Sequence, residues 1–233
     1  MLLHEFRVGA TAEPFVILTS ESPRLETIVL TLGIPVELWL PDDEDEFTPP
    51  AAAGLATALE HRALARAEAI AEEVGPGWIV GIETAIVSGG EVIGAPKTVA
   101  EAEAMLKRLR GATHQVIGAI GLAVGHTGET ATAHEITTVR LRDYSDAEIA
   151  AYLSRGAPLD RVGGYAIEDA AFRPVESWAT CYQNVVGLPL CCLAVLLRQA
   201  NLMWMPSGMR QAPQCAACER RTTLDCFQPL LGA

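Results

Sequence analysis

Basic residues are scarce in this chain, and long apolar runs are absent. Seventeen lysines and arginines stand against twenty-nine aspartates and glutamates, a formal charge of −12. A surface that negative repels phosphate backbones and anionic membranes at long range, so neither a nucleic-acid polymer nor a membrane is an expected partner. A small anion held locally by a few cations or a metal remains compatible with it. The longest apolar run, Val185 to Leu197, is thirteen residues long, contains Gly187 and Pro189, and ends at Arg198. That is short of the roughly 20 residues that cross a bilayer, so it reads as a core helix. Glu5 interrupts the N-terminal stretch before any signal-like apolar segment develops, which points to a cytoplasmic protein. Six cysteines in 233 residues do not suggest a disulfide scaffold; in a reducing compartment they read as core thiols or metal ligands. Also missing are the G-x-x-x-x-G-K-[ST] phosphate loop, a G-x-G-x-x-G after a strand, the G-x-S-x-G elbow and H-E-x-x-H. The common nucleotide and acyl-transfer frameworks lose weight accordingly.

What is present is an alternation of strand-like and helix-like segments. Phe15–Leu18 and Val36–Leu40 have strand length. Between them Ser20, Ser22 and Pro23 supply helix-start chemistry, Leu25, Ile28, Val29 and Leu32 an apolar face, and Gly33 a stop. Ala51–Glu73 is built of Ala, Leu, Glu and Arg, strong helix formers, and Gly75-Pro76-Gly77 ends it. Trp78–Val87 and Glu91–Ile93 flank Gly89-Gly90 as a hairpin. Thr98–Leu109 is an amphipathic helix, Val116–Val124 and Thr137–Leu141 are strands, Ser145–Leu153 is a helix, and Pro189–Leu197 is the last one. The fold class expected is therefore mixed α/β. The organisation expected is a leader over 1–14, a domain over 15–201 and a tail over 202–233, where three cysteines, three methionines and three prolines crowd together.

Ser20-Glu21-Ser22-Pro23-Arg24 falls between a strand and a helix. Two hydroxyls, backbone N–H groups at the helix start and a guanidinium can converge there on a phosphate; the same residues also make an ordinary helix cap. The segment has company: GIET at Gly81–Thr84, GEVIGAP at Gly90–Pro96, GATHQV at Gly111–Val116, SDAEIAAYLSRGAPLDRVGGYAIED at Ser145–Asp169 and NVVGLPL at Asn184–Leu190. In this order the series resembles the Maf (septum formation) family over roughly residues 15–200. The resemblance implies an elongated sheet flanked by helices, like that of inosine triphosphate pyrophosphatases, with two lobes around a cleft, commonly in a homodimer. It also implies metal-dependent hydrolysis of a nucleoside triphosphate to the monophosphate and pyrophosphate by water attack on the α-phosphorus. GGYAIED is closer to the G-x-Y-x-I-Q of the branch that prefers dTTP and UTP than to the branch acting on 7-methyl-GTP.

Carried over by this resemblance, the Asp of the family's G-A-D-T falls on Glu83, as base or as ligand of Mg²⁺ or Mn²⁺; its extra methylene moves the carboxylate by about 1 Å. Ser20, Ser22 and Arg24 would hold the triphosphate. The lysine of the long helix becomes Arg66. The G-K-P lysine becomes Ala95, with Lys97 two residues on as a candidate substitute. The second arginine of S-x-S-P-R-R becomes Leu25, and the glutamine of G-x-Y-x-I-Q becomes Glu168, an added negative charge. Asp45, in the acidic run Asp42–Glu46, matches the family's metal-binding acid by spacing. His114 reads as structural, at the start of a strand, and Tyr165 as shaping or underlying a base pocket. These departures leave a second reading open, a nucleotide-binding relative with weakened turnover. Beyond the reach of the resemblance, Cys215-x-x-Cys218 with Cys226 has the spacing to hold Zn²⁺, with Cys181, Cys191 or Cys192 as a fourth thiolate. A zinc-stabilised interaction tail is the third reading, and a redox pair or incidental thiols are the alternatives.

Overall fold

A β-branched run with a glycine at its close contact makes the central strand, and the other described elements are laid around it. The computed structural model describes residues 16–19, 25, 36–39, 50–156, 159–200 and 202. Their elements are β1 (Val16–Thr19), β2 (Val36–Trp39), α1 (Leu55–Val74), β3 (Trp78–Ser88), β4 (Glu91–Ile93), α2 (Val99–Leu109), β5 (Thr113–Val124), β6 (Thr130–Leu141), α3 (Asp146–Leu153), β7 (Val175–Ala179), α4 (Tyr182–Val186) and α5 (Leu190–Gln199), with a 3₁₀ turn at Val162–Gly164. Seven strands form one sheet in the order β2-β1-β3-β5-β6-β7, with β4 beside β3. The first three are parallel and the remainder antiparallel. The mixed α/β class read from the sequence is the class observed.

Gly89 and Gly90 take φ of +59° and +83° between the paired residues Ser88 and Glu91. A two-residue hairpin loop whose central residues both need positive φ explains why glycines stand there. α1 begins at Leu55 rather than at Ala51, because Gly54 stands just before it with φ +96°, outside helical geometry. Thr98 and Ser145 cap α2 and α3, each accepting from the N–H three residues on. Glu148 completes a reciprocal box with Ser145, and these bonds together with Arg142 hold its carboxyl down to about 2. β6 extends seven residues further toward its N-terminus than its apolar part, because Thr130–Ile136, which runs Thr-Ala-Thr-Ala-His-Glu-Ile, pairs fully with β5. β7 and the short α4 carry no periodic apolar pattern, and β7 is a largely exposed edge strand.

Helices cover both faces of the sheet. α1 lies on one, placing Ala67 and Ile70 on Ile17, Ile79 and Ala123, and Leu55 and Leu59 on Ala85, Ile117 and Ala119. The other face carries two separate clusters. One packs α5, through Leu190, Leu193, Leu196 and Leu197, on Val80, Ile82, Ile120 and Leu122. The second packs α2 and α3 on Ile86, Val116, Val139 and Leu141. Among the described residues no helix is long and apolar enough to cross a membrane.

Two features of β3 position everything that follows. First, α1 rests on glycine. A Cβ on Gly81 would lie 1.8 Å from the carbonyl oxygen of Ala63, and one on Gly121 would lie 2.2 Å from the backbone nitrogen of Leu64. Second, one edge of β3 is interrupted. β5 pairs along the whole of Trp78–Val87 on one side. On the other, β1 pairs with Trp78–Gly81 and β4 with Ile86–Ser88, so that among the described residues no strand covers residues 82–85. The parallel β1 ends at Thr19 opposite Gly81, and the antiparallel β4 ends at Ile93 opposite Ile86. Both strands thus run out toward the same gap.

Because backbone rather than a side-chain tip opposes those Cβ positions, Gly81→Ala and Gly121→Ala are each expected to destabilise the protein by about 2 kcal/mol or more. Gly94→Ala, which meets open space, is expected to stay within about 0.5 kcal/mol of the parent. Urea unfolding of the three variants measures this, and equal midpoints would contradict the glycine contact.

Candidate active site

Between the two clusters a cleft of about 150 Å³ opens to solvent. Ile82, Thr84 and Ile86 of β3 and Val116 of β5 form its floor. Asp160, Arg161, Val162 and Tyr165 form one wall, and Val185, Val186, Gly187 and Leu25 the other. Strand alternation sends Glu83 to the opposite face of β3, toward α1. There Arg62 and Arg66 are one helical turn apart; Arg62 donates Nε–H to Oε1 at 2.9 Å, and the Nε of Arg66 pairs with the same oxygen at 3.0 Å. The three side chains are 13 to 24% exposed, so the pairs are only partly screened by water. The glycine contact that seats α1 on β3 and β5 is what brings both guanidiniums within reach. Glu83 and Thr84 are neighbours in the uncovered stretch of β3, one on each face.

The expected site residues divide into three groups. Glu83 and Arg66 are together, joined by Arg62. Lys97 follows β4 out of the gap and is exposed; its backbone N–H donates to Glu101 Oε2 at 2.7 Å, part of the start of α2. Glu168 is not an isolated charge, since Arg161 on the cleft wall donates a short hydrogen bond from Nη1 to its Oε1. Ser20, Ser22, Arg24, Asp45, Cys215, Cys218 and Cys226 lie outside the described residues. Thr19, which precedes Ser20, is fully buried beside Gly81, two residues from Glu83.

Two positions where the chain departs from the family pattern acquire a physical meaning. Leu25, in place of an arginine, is 2% exposed and belongs to the apolar cluster under α5. Ala95 sits in the turn after β4 and offers no cation there. Reasoning from sequence missed Arg62 and Arg161. Arg62 had a signal, standing four residues before Arg66 on the same helical row; Arg161 is joined to its partner Glu168 only by a fold in the loop.

His114 and Tyr165 settle into packing roles. His114 is 2% exposed and shares a 2.7 Å hydrogen bond through Nε2 with the Tyr165 hydroxyl. Burial pulls the imidazole down to about 4 and pushes the phenol up, so at neutral pH both are uncharged. Asn184 is fully buried and bridges β5 and β6, its amide nitrogen lying 3.1 Å from the Val116 carbonyl, 3.2 Å from that of Glu135 and 3.1 Å from Thr137 Oγ1. The thiol of Cys181, hydrogen-bonded to Cys191, lies below the ordinary thiol range. Neither is in a disulfide.

Among the described residues no group of three or more His, Cys, Asp or Glu could enclose a metal ion. Glu83 is the carboxylate at the gap, which suits a hard cation shared with substrate phosphates rather than a protein cage.

The fold and this site define an α/β protein with an anion-compatible, arginine-flanked carboxylate at a break in its sheet. The chain belongs to the Maf-like protein family, whose model matches residues 15–200. It is 38% identical over 203 residues to a dTTP/UTP pyrophosphatase of Thermomicrobium roseum, covering 87% of this chain and 92% of that protein. It is also 38% identical over 184 residues to one from Symbiobacterium thermophilum, covering 78% and 92%. A solved structure of a nucleoside-triphosphatase / dITP/XTP pyrophosphatase from Mycobacterium abscessus matches 56% of this chain and 75% of that one, with a TM-score of 0.37 and 16% identity.

The lowered histidine makes stability depend on pH. The neutral form is favoured on folding, so the contribution is complete above the unfolded value near 6.5 and is lost as pH falls toward about 4. Between pH 7 and pH 5 it amounts to about 2 kcal/mol. His114→Gln, which keeps an amide for Tyr165, is expected to flatten that part of the acid-side slope in urea titrations; an unchanged slope would assign it elsewhere.

Proposed function

We propose that this chain hydrolyses nucleoside triphosphates, of the dTTP/UTP kind named for its relatives, to the monophosphate and pyrophosphate by water attack on the α-phosphorus. The observation that carries the reading is the convergence at the uncovered stretch of β3. β1 ends at Thr19 on one side of that stretch, β4 ends at Ile93 on the other, and the Glu83–Arg62–Arg66 cluster lies on it. A triphosphate brings several negative charges, and in a protein of charge −12 it needs a local excess of cations. Two guanidiniums on one carboxylate supply such an excess. Ser20, Ser22 and Arg24 would add donors from the segment that follows Thr19.

Phosphate oxygens would compete with Glu83 for the N–H groups of Arg62 and Arg66. Each donor that turns to phosphate returns a lone pair to the carboxylate, which is then able to take a proton from an attacking water. The same donors stabilise charge accumulating on the phosphate oxygens as the anhydride breaks. Glu83, with Asp45, would hold a Mg²⁺ or Mn²⁺ shared with the triphosphate. When bound, such an ion supplies charge neutralisation and a more acidic water. The cleft on the other face of β3, apolar on its floor and one wall and with Tyr165 at its side, would take the base and sugar. Assembly as a homodimer and a cytoplasmic setting, without nucleic-acid polymer or membrane, belong to the same reading and are supported by the family resemblance and the net charge.

A second reading, nucleotide binding without efficient turnover, is favoured by Leu25 lying in the cleft wall and by the uncharged Ala95. Pyrophosphate release from UTP and dTTP with Mg²⁺ or Mn²⁺ separates the two when run beside thermal shifts. Turnover supports hydrolysis, a shift without release supports the binder, and neither would discard both. Glu83→Gln is expected to lower kcat on the order of 100-fold or more while the UTP-induced thermal shift persists; full activity in this variant would remove Glu83 from the chemistry.

A further inference from the structure

The cleft contains a cation that the family pattern did not lead us to name. Arg161 is the basic residue among the described residues lining it. Its side chain is 18% exposed, and Nη1 is held by the Glu168 carboxylate at the rim. Its remaining N–H donors have no hydrogen-bond partner among the described residues. The backbone of its loop is tied to a particular place: the N–H of Gly163 donates to the carbonyl of Gly94 at 3.0 Å. The wall bearing Arg161 is thereby fastened to the turn that contains Ala95, where the cation expected beside the phosphates is missing. The cleft surfaces around it are apolar at Ile82, Ile86, Val162, Val185 and Val186, with the Thr84 hydroxyl on the floor and the Asp160 carboxylate on the same wall, so Arg161 is the group there that attracts an anion.

We propose that Arg161 binds the phosphate chain of the substrate where it joins the sugar in the cleft, replacing from the adjoining wall the charge that Ala95 lacks, and that Glu168 is the positioning residue that holds its guanidinium in the cleft. This rests on the nucleotide reading given above. The planar fork of arginine suits the double task, since one edge can remain on a carboxylate while the other meets phosphate oxygens. Glu168 then has two opposed effects. It orients Arg161 before binding, and it competes with phosphate for the same charge. With an amide at this position the competition weakens while a hydrogen-bond acceptor remains.

The test uses the purified full-length protein, with steady-state pyrophosphate release from UTP and calorimetric binding of inorganic tripolyphosphate, which requires no turnover. Arg161→Gln is expected to raise KM and weaken tripolyphosphate binding, each by about 10-fold or more, with kcat changed by less than about threefold. Arg161→Lys, which keeps the charge but not the fork, is expected to fall between this variant and the parent, and it serves as the probe if Arg161→Gln does not fold. Glu168→Gln is expected to lower KM about threefold at unchanged kcat, an effect that a merely structural carboxylate would not produce. A KM and a tripolyphosphate affinity within about twofold of the parent in folded Arg161→Gln would overturn the role of Arg161 and leave the hydrolytic reading intact. Arg161-dependent tripolyphosphate binding by a parent protein that releases no pyrophosphate would keep Arg161 and remove hydrolysis. An unchanged or higher KM in Glu168→Gln would overturn the competition of Glu168 with phosphate and leave the role of Arg161 intact.

Discussion

The contact on which this structure depends is backbone against backbone, where α1 crosses β3 and β5 at Gly81 and Gly121. With any side chain there the helix would stand off by more than an ångström, since Cβ atoms would fall 1.8 and 2.2 Å from main-chain atoms of Ala63 and Leu64. The close seat lets small residues, Ala63 and Ala67, carry the interface while both are fully buried. It also sets the height of Arg62 and Arg66 above the sheet. Glu83 lies two residues beyond Gly81 on the same face of β3, so the glycine and the carboxylate of the G-I-E-T stretch serve one geometry. One permits the approach and the other receives what the approach delivers.

Much of the fold could be read from the amino-acid order because its main signals are local. Gly89-Gly90 specified the hairpin, Thr98 and Ser145 the helix starts, and the Ala-Leu-Glu-Arg composition the long helix. Where the reading fell short, the cause was a pattern that local chemistry does not announce. Thr130–Ile136 is strand because β5 pairs with it, not because its residues alternate in polarity. β7 has one ladder to hold it and little to bury, so its sequence carries little hydrophobic signature.

The site was legible in composition more than in geometry. Glu83 and Arg66 were identifiable, and they are together. The partner that completes their cluster, Arg62, is on the same helical row, yet a row of arginines on a helix is as often solvated as functional. Glu168 was read as an added negative charge facing the substrate. Its neutralisation by Arg161 depends on how residues 161–168 turn back on themselves, through the positive-φ glycines Gly163 and Gly164, and spacing alone does not reveal such a turn. His114 illustrates the reverse case. A histidine invites a catalytic role until burial and a tyrosine hydroxyl account for it.

The strands that underlie the cleft have a mechanical consequence. β3, β5 and β6 are eleven, twelve and twelve residues long and pass without a break beneath both apolar clusters. Among the described residues no loop joins the two halves at their base, so the halves do not sit as bodies on a flexible joint. Widening the mouth would mean bending three hydrogen-bonded strands at once, against the buried amide of Asn184 that clasps two of them. The base is continuous sheet, and the walls at Asp160–Tyr165 and Val185–Gly187 are short segments. Any change in the width of the mouth therefore falls on short segments at the rim, while the groups placed along β3 keep their spacing.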